Sequence, residues 1–181
     1  MLRLAARPNT VRAWTGFSRQ RVRQILRQYR QNPADRTLRC NRGPSPKKLT
    51  SLLANPNLRS EITAMAGLCQ VLHLIPADPM PNARLRLPSL FMGERLCHAF
   101  ETYRAMVPYA RLTLEQVILV VFALAEGNEW RLERCAGCRA VMFVDLLSIA
   151  RRVCTGCRAL PAAAELVNEP IASSEMQQRL F

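Results

Sequence analysis

The chain has 181 residues, and its 26 Lys and Arg against 13 Asp and Glu give a formal net charge of +13. Its length suits one domain with a small satellite, and a composition of 49% hydrophobic and 22% charged residues excludes a wholly disordered chain. A positive excess of this size is usually offset by an anionic partner, which favours nucleic acid, an acidic membrane surface or an acidic protein over a neutral metabolic enzyme.

The positive charge is concentrated in the first 48 residues, called here the basic head. They carry 13 Lys and Arg and a single acid, Asp35, whereas residues 49–181 carry 13 bases and 12 acids. A basic head on a nearly neutral body is typical of a chain with one region that contacts a polyanion. A solvated Arg-rich surface, which a GC-rich genome can produce, is the simpler alternative.

Residues 10–29 of the head predict two helices joined by a tight turn. A short apolar helix ends near Thr15, Gly16 provides the turn, and Ser18 is the expected N-cap of the second helix. This pattern resembles a helix-turn-helix. Four positions of the second helix share one face and are expected to contact the core. They are Val22, Ile25, Leu26 and Tyr29.

A neighbouring face of the second helix is predicted to contact nucleic acid. Arginine pairs bidentately with guanine or phosphate, and glutamine can pair with adenine. A helix that carries both residue types in adjacent stripes is therefore equipped for the major groove of DNA. The predicted contacts are Arg19, Gln20, Arg23, Gln24, Arg27 and Arg30, with Gln28 and Gln31 beside them.

Prolines divide the rest of the chain, and the Pro-free stretches between them are expected to hold helices. Pro-rich connectors are predicted at 33–56 and 76–88. Apolar residues at helical spacing predict helices over 57–75, 89–107 and 113–126.

The helix predicted over 113–126 has the strongest signals of the three. Thr113 and Gln116 form a capping-box pattern at its start. Its residues are apolar on nearly every face, and a helix of that kind must be buried. We therefore expect it at the centre of a helical core.

Four of the seven cysteines form two C-x-x-C pairs that are 15 residues apart: Cys135, Cys138, Cys154 and Cys157. This spacing matches zinc sites of the type C-x₂-C-x₁₅₋₂₀-C-x₂-C. Each two-residue gap lets one turn, eased by Gly137 or Gly156, direct two thiolates at one ion. Four protein ligands fill a tetrahedral coordination sphere and leave no place for water. The pattern predicts one structural Zn²⁺.

Other uses of the same thiols stay open. An iron–sulfur or rubredoxin-like site has similar ligands, and a redox switch would release zinc when the thiolates are oxidised. A thioredoxin-type pair fits less well, because it needs one C-x-x-C in a βαβ unit. Cys40, Cys69 and Cys97 have no partner at ligand spacing, and the last two are expected to be small buried hydrophobic residues. His73 and His98 are isolated and are expected to be structural.

We do not expect an enzyme, because the sequence has no Ser/His/Asp set, paired carboxylates or Gly-rich phosphate loop. The longest apolar run, Val117 to Ala125, has nine residues, far below the approximately 20 that span a bilayer. No apolar segment typical of a secretory signal follows the start. We expect a cytoplasmic protein that does not bind a membrane.

The predicted fold is mainly α: a helical domain with an N-terminal helix-turn-helix-like segment and a small C-terminal, zinc-ribbon-like Cys₄ module. No alternating run is long enough to predict a sheet outside that module. The predicted units are the basic head with its connector (1–48), a helical core (49–129), the Cys₄ module (130–160) and a tail (161–181).

Four blocks in this order resemble the bacterial flagellar transcriptional activator FlhC family. They are Thr10–Tyr29, Asn41-Arg-Gly-Pro-Ser-Pro46, Gly93-Glu-Arg-Leu-Cys-His-Ala-Phe-Glu-Thr-Tyr103 and the paired cysteines. The resemblance covers most of positions 10–160. It implies a mainly helical protein with a Cys-ligated zinc module. The family's zinc ligands fall on Cys135, Cys138, Cys154 and Cys157.

The resemblance also implies a function. The chain would pair with an FlhD-like subunit in a hetero-oligomer that binds double-stranded DNA upstream of flagellar promoters and activates transcription, with RNA polymerase as a further partner. An alternative of another class is a redox- or metal-responsive zinc protein whose anionic partner is RNA or an acidic protein.

Overall fold

A computed structural model describes residues 1–31, 48–76, 87–149 and 152–159. Within these ranges the chain is mainly helical and has one two-stranded sheet. Its elements are a 3₁₀ helix (Leu2–Leu4), α1 (Pro8–Thr15), α2 (Arg19–Gln31), α3 (Leu49–Leu53), α4 (Pro56–Val71), α5 (Leu90–Met106), α6 (Leu114–Glu126), β1 (Trp130–Arg134), β2 (Val141–Asp145) and α7 (Thr155–Ala159). The predicted mainly α fold with a C-terminal four-cysteine cluster is confirmed.

The helices predicted for the body correspond to α4, α5 and α6. The prediction of a connector over 33–56 is wrong at its C-terminal end, because α3 occupies Leu49–Leu53. Between Pro46 and Pro56 the chain has nine residues without proline, enough for a short helix. The buried leucines of α3 pack against α4 and α6. The block 41–46 and the predicted tail lie outside the described residues.

Helix α6 is the central element of the core. The Thr113 hydroxyl accepts the Gln116 N–H at 3.3 Å, and the Gln116 side-chain oxygen accepts the Thr113 N–H at 2.9 Å. This is the predicted capping box. Leu114, Val117 and Val121 are fully buried, and α6 contacts α3, α4 and β1. The prediction of a buried helix is confirmed.

A carboxylate on α4 ties together α5 and the segment that precedes α6. Glu61 accepts hydrogen bonds from the Tyr103 hydroxyl and from the Arg111 backbone N–H, the latter at 2.8 Å. Burial and the adjacent Glu61 carboxylate raise the pKa of Tyr103, since both disfavour the phenolate. Tyr103 therefore stays a hydrogen-bond donor at physiological pH.

The basic head docks on the body through a tryptophan of α1. Trp14 is buried and meets Phe122 of α6 edge-on, with 6.0 Å between the ring centroids. On its other side Trp14 approaches Gly93 of α5. A Cβ at position 93 would lie 3.3 Å from Trp14 Cε3, so the absence of a side chain there permits the close packing.

Glu115 is the one buried charged residue in the part of the chain that the structure describes. Its carboxylate accepts hydrogen bonds from the Arg7 backbone N–H and from the Thr10 hydroxyl, both at 2.9 Å. Arg7 is the N-cap of α1 and Thr10 lies in its first turn. The carboxylate therefore also lies at the positive end of the α1 dipole, and it joins the first turns of α1 and α6.

Replacing Glu115 with alanine should detach the head, because the Arg7 amide and the Thr10 hydroxyl lose their acceptor in a partly buried place. We expect the free energy of unfolding in urea to fall by about 1–3 kcal/mol. Glu126→Ala, at the exposed end of the same helix, is the control and should change it by about 0.5 kcal/mol or less. Equal losses for both variants would contradict this role of Glu115.

Candidate functional site

The four predicted ligands come together in space. Their Sγ atoms all lie within 4.8 Å of one another, so they can hold one metal ion. Cys138 Sγ and Cys154 Sγ are 3.6 Å apart. A tetrahedral zinc site with Zn–S bonds of about 2.3 Å has S–S distances of about 3.8 Å. The donor set and its spacing therefore fit Zn²⁺.

The first cysteine pair lies in the loop of a β-hairpin. Strands β1 and β2 are antiparallel, and their last pair before the loop is Arg134 with Val141. Directly after it, the Cys135 N–H donates to the Ala140 carbonyl at 2.8 Å. The hairpin thus closes the loop and directs Cys135 and Cys138 to the same side.

The second pair is placed by α7, which begins directly after Cys154 and contains Cys157. The two cysteine loops are joined by a backbone hydrogen bond from the Ala136 N–H to the Arg152 carbonyl, 3.0 Å long. Cys154 also donates its N–H to Cys135 Sγ at 3.3 Å. These bonds hold the second loop against the first.

Hydrogen bonds shift the pKa values of Cys135 and Cys157 in opposite directions. Backbone N–H groups, that of Cys154 first, lower the pKa of Cys135 to about 6. Hydrogen bonds with the Cys138 and Cys154 thiols raise the pKa of Cys157 to about 12. Four thiolates this close repel one another, and a bound cation removes that repulsion and deprotonates them all.

Gly137 has a different role from the predicted one. Neither Gly137 nor Gly156 has a positive φ; the left-handed residue of the first loop is Arg139, with φ 64°. A Cβ at Gly137 would lie 3.1 Å from Cys157 Sγ. At Gly156 the nearest side-chain atom would be Cys154 Sγ, at an ordinary 3.9 Å. Gly137 is therefore needed for the approach of the second cysteine pair.

Gly137→Ala should weaken metal binding, because the new methyl group displaces Cys157 Sγ by a few tenths of an ångström. We expect the zinc affinity, measured by competition with a chromophoric chelator, to fall about tenfold. Gly156→Ala is the matched control and should retain the affinity of the unchanged chain. Equal affinities for the two variants would show that Gly137 does not shape the site.

The remaining cysteines and histidines belong to no metal-binding group in the described ranges. Cys69 is buried as predicted, and burial raises the pKa of its thiol to about 12. Cys97 is only half-buried, although it packs against the core. His73 and His98 are exposed, and Cys40 lies outside the described residues.

The turn predicted between the first two helices of the head is present. Helix α1 ends at Thr15, and Gly16 follows with φ 70°. The Ser18 hydroxyl accepts the Arg21 N–H at 3.2 Å, as an N-cap does. Of the four residues predicted to face the core, Val22 is buried, and Ile25, Leu26 and Tyr29 are half-buried.

The predicted nucleic-acid contacts all lie on the exposed side of α2. They are Arg19, Gln20, Arg23, Gln24, Arg27 and Arg30. At 3.6 residues per turn, Arg21 projects about 160° away from Arg23, and its guanidinium donates to the Gln24 side chain at 3.2 Å. Because of this angle, Arg21 lies outside the arginine stripe, although it contacts Gln24.

The structure also brings together three arginines that the sequence did not single out. Arg59, Arg152 and Arg158 line one cleft of about 730 Å³ between α4 and the cysteine module. Arg152 and Arg158 belong to the same segment of the cysteine module, whereas Arg59 lies far away in sequence, on α4. No local signal could have grouped Arg59 with the other two.

A scan of protein-family models and a search of curated proteins return no match to this chain. The resemblance to FlhC therefore stays a prediction from the residues. In the described part of the chain, no helix combines the length and apolar character that crossing a membrane requires.

Proposed function

We propose that the chain is a zinc-containing, DNA-binding transcriptional activator subunit that acts with an FlhD-like partner at flagellar promoters. The observation that carries the proposal is α2. This helix follows a left-handed glycine turn and presents a stripe of exposed arginines, within a head of 13 bases and one acid.

A convex helix with this surface suits the major groove of double-stranded DNA. Guanidinium groups of the stripe would pair with phosphates and with guanine, and Gln20 and Gln24 on the adjacent face would pair with adenine. The opposite face of α2 packs on α1, which Trp14 and Glu115 attach to the body. The body thus supports the helix that enters the groove.

Zinc has a structural part in this proposal. Cys135, Cys138, Cys154 and Cys157 would provide all four ligands, so the ion has no open position for a reacting molecule. The pairing with an FlhD-like subunit, the contact with RNA polymerase and the location in the cytoplasm rest on the resemblance to FlhC. No catalytic step is part of the proposed function.

Alanine at Arg23 or Arg27 should lower the salt dependence of DNA binding. Each lost phosphate contact reduces the slope of log affinity against log salt by about 0.9. The measurement is fluorescence anisotropy of a labelled promoter duplex, with the chain co-purified with its partner, from 50 to about 200 mM salt. Arg104→Ala removes an equal charge from an exposed position on α5 and is the matched control, since Arg21 contacts Gln24.

An unchanged slope in both stripe variants, or an equal decrease in Arg104→Ala, would show that this face of α2 does not contact the DNA. A scrambled duplex separates the two kinds of contact. Loss of a phosphate contact weakens binding to both duplexes alike, whereas loss of a base contact reduces the preference for the promoter by about 1–3 kcal/mol.

Removal of the metal should unfold the cysteine module, because structural zinc contributes roughly 10–16 kcal/mol of binding energy in small modules. We expect the backbone NMR resonances of residues 130–159 to collapse after exhaustive chelation, while those of α4–α6 persist. Elemental analysis of the purified protein should find one zinc per chain. Iron in its place, or a module unaffected by chelation, would contradict a structural zinc.

A further inference from the structure

The three arginines identified above line a cleft, called here the arginine cleft, whose lining contains no residue of α2 and includes one of the four clustered cysteines, Cys154. One wall is α4, and the other is formed by β2 and the segment that holds Arg152 and Cys154. Its volume of about 730 Å³ lies within the usual range of ligand pockets, about 300–1,000 Å³.

The rim of the cleft is positively charged. Arg59 is held in place by a bond from its Nε to the Leu53 carbonyl, 3.2 Å long, and Arg152 pairs with Glu133. Arg158 is exposed. Asp145 is the one carboxylate that lines the cleft among the described residues. Outside the Arg152–Glu133 pair, two arginines face one carboxylate, so this rim attracts an anion.

The interior of the cleft is aromatic and open. The half-buried Phe143 lines it and stacks on Trp130, a buried core residue, with ring centroids 5.4 Å apart and an interplanar angle of 30°. Apart from Arg59, the α4 residues that line the cleft are small: Ser60, Thr63, Ala64 and Gly67. A Cβ added to Gly67 would meet no atom within 4 Å, so free space lies above this stretch of the helix.

We propose that the arginine cleft binds a free nucleotide. Guanidinium groups pair bidentately with phosphate oxygens, and the aromatic and apolar interior offers a surface for a planar base. A DNA duplex offers the same phosphates, but its bases are stacked inside the helix and present no face to Phe143. A single nucleotide can use both the rim and the interior.

The first experiment is calorimetric titration of the zinc-loaded full chain with ATP, adenosine and tripolyphosphate. We expect ATP to bind about tenfold or more tightly than either fragment, because only ATP contacts both the guanidinium rim and the aromatic interior. Adenosine or tripolyphosphate binding as tightly as ATP would overturn the proposal, as would the absence of ATP binding.

Single substitutions test whether ATP binds in the arginine cleft. Arg59→Gln and Arg158→Gln should each weaken ATP binding about tenfold. Arg104→Gln, an exposed arginine of α5 away from the cleft, should not change it. Gly67→Met should block binding by filling the open space, without loss of thermal stability. Equal effects of Arg104→Gln and Arg59→Gln would mean attraction by net charge alone and would overturn the proposal.

Measuring DNA binding and ATP binding on the same variants distinguishes the nucleotide proposal from the DNA-binding proposal. Arg23→Ala should weaken promoter binding and leave ATP binding unchanged, and Arg59→Gln should do the reverse. If Arg59→Gln and Arg158→Gln lower the salt slope of DNA binding while ATP does not bind, the cleft is a DNA-backbone contact and the nucleotide proposal is wrong. Failure of ATP binding alone leaves the DNA-binding role of α2 intact.

Discussion

The basic head meets the helical body through α1, and the Glu115 carboxylate makes polar contacts across that junction. Glu115 accepts the Arg7 N–H and the Thr10 hydroxyl, while Trp14 packs between α5 and α6. The direction of α2 depends on this contact, because α2 packs mainly on α1. A head with so many arginines repels itself, and the buried contacts of Glu115 and Trp14 counter that repulsion.

The cysteine module depends on a second constraint, the distance between its two loops. The hairpin and α7 each position one pair of thiols, and the absence of a side chain at Gly137 lets the pairs meet. The module also packs on α4 through β2. Because α4 carries small residues on that side, the packing is incomplete and the arginine cleft is left open.

The two surfaces proposed to bind phosphate differ in shape, and the difference decides their ligands. The arginine stripe of α2 is convex and exposed, as a groove-binding helix must be. The arginine cleft is concave and has an aromatic interior, which suits a ligand that can be surrounded. The two proposals use arginines from separate parts of the chain: the stripe belongs to the basic head, and the cleft belongs to the nearly neutral body.

The sequence alone determined the helices α1, α2, α4, α5 and α6 and the four cysteines that cluster in space, because their signals are local. A Gly16 turn, a capping box and two C-x-x-C pairs each lie within a few residues. The short α3 was missed since five residues carry too little periodicity. Only the tertiary structure decided that Glu115 caps a helix 108 residues away and that Arg59 shares a cleft with Arg158. Such contacts depend on how separate helices pack, and no pattern of neighbouring residues contains that information.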